Sequence, residues 1–151
     1  MKQLALLAAA LVAIPITAAL AQPPAALTPE QIVAARRTAY GLSAGTFASM
    51  KFAADAGADV HQLAQPARAL ARWARTLPTM FPAGTNLPSS KALPTVWSDR
   101  AGFEARAAAY ADAATALATA AQSGDRAAFL AQWTLVRGTC AACHDTYRAP
   151  N

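Results

Sequence analysis

The sequence predicts an all-α fold, an antiparallel four-helix bundle, and three observations carry that expectation. Alanine supplies 44 of the 151 residues, and a chain so rich in the best helix former, with few β-branched residues, does not read as sheet. Apolar residues recur in heptad spacing through four segments. Glycine, proline and capping residues fall between those segments, at their ends. With 55% apolar and 14% charged residues the chain is not disordered in bulk, and its length suits one domain.

The first 21 residues stand apart from the fold. Lys2 forms a short positive start, Leu4 to Ile14 is an unbroken apolar run interrupted by Pro15, and Ala19-Leu20-Ala21 is a small-x-small cleavage site. This pattern predicts a secretory signal peptide over 1–21, cut after Ala21, with the folded domain over 22–151. The rival reading, an uncleaved anchor, has a run only just long enough to span and broken by Pro15. No later segment is apolar enough to cross a bilayer, so the mature protein is expected to be soluble, free of the membrane and exported. Its destination is read as the periplasm of a Gram-negative bacterium. The net charge is +5, or +4 once Lys2 is removed.

The first helix opens at Thr28-Pro29-Glu30-Gln31: Thr28 caps, Pro29 suits the first helical position, and Gln31 completes a capping box. Val33, Tyr40 and Phe47 recur every seven residues, with Arg36, Ser43 and Met50 between them, a seam over three heptads. Gly57 ends it. The second segment carries Leu63, Leu70 and Leu77, with Ala67 and Ala74 between; Pro66 either kinks it or marks its true start. Its Arg68, Arg72 and Arg75 share a face, read as a solvated stripe rather than a nucleic-acid patch, because no aromatic interleaving or binding motif accompanies them. Prolines at 78, 82, 88 and 94 make the next stretch a loop.

The third helix starts near Pro94 or Ser98. Val96, Phe103, Tyr110 and Leu117 alternate with Ala107, Ala114 and Ala121 along its seam, and Ser123-Gly124 closes it. Asp125 caps the fourth, which carries Phe129, Trp133, Val136, Cys140, Cys143/His144 and Tyr147 on one face before Pro150 stops it. Short links join these helices except at the proline loop, as an antiparallel bundle requires. Alanine at alternate seam positions leaves room for something bulky inside.

Cys140-Ala141-Ala142-Cys143-His144 is the c-type haem attachment sequence. Residues i, i+3 and i+4 of a helix share a face. Two thiols three residues apart suit the two vinyl groups along one haem edge, and the next imidazole is placed as the axial iron ligand. One haem c, covalent through Cys140 and Cys143 and ligated by His144, is therefore expected. Three alternatives compete for the same residues. A thioredoxin-like dithiol belongs at a helix start in a βαβ setting, which is missing. A disulfide at this spacing is strained and leaves His144 unexplained. A zinc site lacks partners, since His61 is the sole other histidine.

Further residues make the sequence resemble the cytochrome c prime family, the class II c-type cytochromes. Arg36 and Tyr40 match that family's first helix, and Met80-Phe81-Pro82-Ala83-Gly84-Thr85 matches its Phe-Pro loop. Trp97-Ser98-Asp99 with Phe103 resembles the opening of its third helix, and Cys143-His144-Asp145-Thr146-Tyr147-Arg148 resembles its tail. The resemblance covers essentially the whole mature chain. It implies a haem bound by His144 on one side only, with Tyr40 capping the other face as a non-ligand, hence a five-coordinate iron. Arg36, Arg37 and Thr85 correspond to neighbours of the haem propionates, and Arg148 to a residue beside the proximal face.

The function implied is the binding of small diatomic gases, nitric oxide and carbon monoxide, and the transfer of single electrons with a periplasmic redox protein. The alternative is a low-spin electron carrier with Met50 as sixth ligand, although Met50 lies ten residues, ~15 Å, along the helix from Tyr40. A homodimer is implied as well, and the apolar Leu42 and Phe52, off the seam of the first helix, support it independently. No paired carboxylates, serine triad or phosphate loop appears, so the chain is not read as an enzyme.

Overall fold

The computed structural model describes residues 26–150; the expected signal peptide and its cleavage site lie outside the described residues. Helices α1 (Pro29–Asp55), α2 (Ala64–Thr76), α3 (Thr95–Ser98), α4 (Arg100–Ser123) and α5 (Arg126–Tyr147) follow in order, with short 3-10 turns at Val60–Leu63 and Leu77–Met80. The four long helices form the expected bundle. Among the described residues the one departure from helix and loop is an isolated antiparallel bridge between Ala92 and Arg148. No described helix is long and apolar enough to cross a membrane.

The sequence places the helix ends through local chemistry. At the start of α1 the Gln31 amide donates to Thr28 Oγ1 (3.3 Å) and the Thr28 amide to Gln31 Oε1 (2.9 Å), which satisfies two amides the helix cannot. The choice posed by Pro66 falls to a new start: a 3-10 turn ends at Leu63, and Pro66 is the third residue of α2, where its missing N–H costs no helical bond. Both expected starts of the third helix are used. The short turn α3 follows Pro94, the chain breaks at Asp99, and Asp99 Oδ1 then accepts from the Gly102 amide (3.2 Å) to begin α4. Gly124, at φ +74°, closes α4 in the left-handed region that glycine enters without penalty. Asp125 caps α5 by accepting from the Ala128 amide (2.9 Å).

Helix α4 is the central element, packed against both α2 and α5. Its buried side chains are the seam read from the heptads, including Phe103, Ala107, Tyr110, Ala114, Leu117 and Ala121. The alanines let α2 approach closely through Ala67, Ala71 and Ala74. The apolar core fills the end of the bundle around Met50, Ala54, Val60, Leu117 and Phe129. At the opposite end the helices enclose a space.

Candidate functional site

That space is a cavity of about 660 Å³, within the range of small-molecule and cofactor sites. Helix α5 supplies Cys140, Cys143 and His144 to one wall. Helix α1 supplies Arg36, Arg37 and Tyr40 to another, α4 supplies Phe103 and Tyr110, and the proline loop closes a side with Phe81. Of the eight site residues expected from sequence, seven line this one cavity, Arg148 among them, and Thr85 is the exception. Thr85 is buried, 1% exposed, and reaches the site through Arg36.

Both cysteines are free and half-buried, and His144 is exposed. Burial pushes the Cys140 thiol above its ordinary range. It does the same to Cys143, where Cys140 adds to the shift and Arg106 opposes it. Although His144 as a residue is exposed, partial desolvation at the cavity lowers its pKa, and the Arg148 cation lowers it further against Asp145. At neutral pH the imidazole is therefore neutral, with a lone pair available to a metal.

Tyr40 stands across the cavity from the cysteines. Its ring meets Trp73 edge-on at 5.4 Å and Phe81 at 6.5 Å, so neighbours on both sides fix it. Burial drives its phenol well above the ordinary value, and the same holds for Tyr110. Both hydroxyls are thus neutral, and neither supplies an anionic ligand. Met50 is 1% exposed in the apolar core and is not among the cavity-lining residues.

Arg36 is only 2% exposed. Its Nη1 donates to Met80 O (3.2 Å) and Thr85 Oγ1 (2.8 Å); its Nη2 donates to Thr85 O (2.9 Å) and Ser90 Oγ (2.7 Å). The guanidinium lies 4.3 Å from the centre of the Phe81 ring. It therefore pins the proline loop to α1 while its charge borders the cavity. Arg37 donates to Ser89 O (3.2 Å).

The cavity lining also carries Lys91, Arg106 and Arg137, and no acidic residue. Arg106 and Arg137 were not read from sequence, although Arg137, seven residues before His144, shares its face. Tyr110 was read as a seam residue alone. This lining, aromatic and cationic together, suits a large flat apolar group that carries carboxylates.

Residues 31–148 match the family model described as Cytochrome C'. A cytochrome c' from Rhodospirillum rubrum is 39% identical over 90 residues, 59% of this chain and 61% of that protein; the chain thus spans about three fifths of that relative's length. A solved nitric oxide complex of a single-residue variant of cytochrome c prime from Alcaligenes xylosoxidans superposes with a TM-score of 0.76 at 31% identity, covering 82% of this chain and 98% of that one. A carbon monoxide-bound variant of the same cytochrome gives 0.75 at 31% identity, with the same coverage.

Proposed function

This chain belongs to the cytochrome c' family, and we propose that it holds a single haem c, attached through Cys140 and Cys143 and ligated by His144, with the sixth position of the iron open. The observation that carries the reading is the arrangement across one cavity: Cys140, Cys143 and His144 on α5, facing Tyr40 on α1. When bound, the haem iron supplies a ligand-binding position and a one-electron couple. The chain's residues do the rest. His144, neutral at working pH, offers its lone pair. Tyr40 is bulky, neutral and wedged between rings, so it restricts what enters without binding iron. The largely apolar lining favours small apolar diatomics such as nitric oxide and carbon monoxide. Arg36, Arg37, Arg106 and Lys91, all on the cavity lining, would offset the charge of the propionates. The chain is read as a binding protein, not an enzyme.

One observation favours a second role beside the first. The cavity lining carries six cations, Arg36, Arg37, Lys91, Arg106, Arg137 and Arg148, and no acidic residue, a charge balance that would steer a negatively charged redox protein toward the site. Export to the periplasm after cleavage at Ala21, and a homodimer through the exposed Leu42 and Phe52 of α1, complete the reading.

The test is an intact mass after denaturation together with oxidised and reduced optical spectra. One haem still attached and a high-spin ferrous spectrum are expected. A mass equal to the bare polypeptide would sink the attachment, and a low-spin ferrous spectrum would sink the open position. Sedimentation at micromolar concentration showing only monomer would refute the dimer.

A further inference from the structure

A histidine that binds a metal is ordinarily oriented by a hydrogen bond from its second ring nitrogen. His144 is an exposed residue, and the charges that act on it are Arg148 and Asp145, from its own end of the chain. What surrounds it is a set of ties on the backbone just beyond it. The Tyr147 hydroxyl donates to Asp99 Oδ2 at 2.6 Å, while Asp99 Oδ1 caps α4 through Gly102. The Leu93 amide donates to Tyr147 O (2.9 Å) and the Ala149 amide to Lys91 O (2.8 Å). Thr95 Oγ1 donates to Thr146 O (2.9 Å). The Tyr147 ring is 5% exposed and edge-on to Phe103 at 5.4 Å, and both rings line the cavity.

Gly102 is what admits this arrangement. A Cβ there would overlap both the Asp99 carboxylate and the Tyr147 hydroxyl. Its φ is not in the left-handed region, so the requirement is space, not backbone conformation. A helical glycine costs about 1 kcal/mol against alanine, and here it makes room for a tyrosine–carboxylate contact. Tyr147 follows His144 by three residues, one turn on along the same face.

We propose that the Tyr147–Asp99 pair, admitted by glycine at 102, is a positioning device that orients His144 from behind, through the last turn of α5. The inference rests on the haem reading above. Tyr147 and Gly102 are positioning residues; neither ligates.

The experiment uses the haem-loaded protein and three variants: Tyr147→Phe, Gly102→Ala and the pair combined. Tyr147→Phe removes one oxygen and keeps the ring against Phe103, so folding is preserved. The readouts are the iron–imidazole stretching band of the ferrous form, the midpoint potential, and amide exchange over residues 147–149. Each single variant is expected to shift or broaden the band, move the potential, and speed exchange about tenfold, as loss of one charge-assisted hydrogen bond implies. The double variant is expected to move the band no further than either single one, because both break the same contact. Faster exchange with an unmoved band and potential would overturn this inference alone. A wild-type protein with no iron–imidazole band would overturn the haem reading and this inference with it.

Discussion

Replacing Arg36 with alanine tests whether the proline loop is held from α1 by one buried guanidinium. The side chain makes four hydrogen bonds to the loop. Two of the acceptors keep other bonds: Thr85 Oγ1 still donates to Pro82 O, and Ser90 Oγ still accepts from the Ala92 amide. The carbonyls of Met80 and Thr85 lose their charged donor. Each buried acceptor so stranded costs about 1–3 kcal/mol. The lost stack on Phe81 adds roughly 0.5–2 kcal/mol.

Set against this is the penalty of burying the guanidinium, the main cause of its lowered pKa. The net expectation is a loss of about 3 kcal/mol in unfolding free energy, read as a fall of about 1.5 M in the urea midpoint of the haem-loaded protein. Arg36→Lys keeps the charge but not the fork, and is expected to lose about half as much. Because Phe81 walls the cavity, carbon monoxide should also bind faster in Arg36→Ala. Unfolding within about 1 kcal/mol of wild type would refute the reasoning, since four hydrogen bonds and a ring contact would then weigh no more than an ordinary surface change.

Shrinking Tyr40 to alanine should open the cavity without removing a ligand: carbon monoxide binding to the ferrous form should accelerate, measured by stopped flow, with a high-spin spectrum unchanged. Met50→Ala should leave the spectrum unchanged but cost about 2–5 kcal/mol in urea unfolding, as truncation of a buried methionine does. Gly124→Ala places a Cβ at φ +74° and should cost about 1–2 kcal/mol, seen as a lower Tm with unchanged ligand binding. Tyr40 and Tyr110 are held neutral by burial; their raised values mean that their stabilising contribution is complete below pH ~10, the unfolded value, and is lost as pH rises beyond it. Urea midpoints should therefore fall on the alkaline side, and Tyr110→Phe should flatten that fall.

What the sequence disclosed and what it hid separate by range. Helix ends were readable because Thr28, Asp125 and Gly124 act on neighbours three or four residues away. The α4 seam was readable because periodicity alone decides which face of a central helix is buried. The heptads of α1, however, treat Tyr40 and Met50 alike, and which faces cavity and which faces core depends on where the partner helices diverge. The partners of Arg36 lie 44 to 54 residues along the chain, and those of Tyr147 lie 48 away. No local pattern encodes such contacts, and the family resemblance that sets Arg36 beside a propionate says nothing of its hold on the loop. Arg106 and Arg137 were passed over because a lone arginine on a helix is ordinarily solvated.

A bundle of this size ordinarily spends its central volume on side chains, and here the helices leave a cavity of about 660 Å³ whose lining includes cations. Left empty, such a space forfeits contacts on every wall and crowds like charges around its mouth. On the proposed reading the haem would fill that space. A dissociable group would lend stability that dwindles with dilution; a tethered one lends it at any concentration.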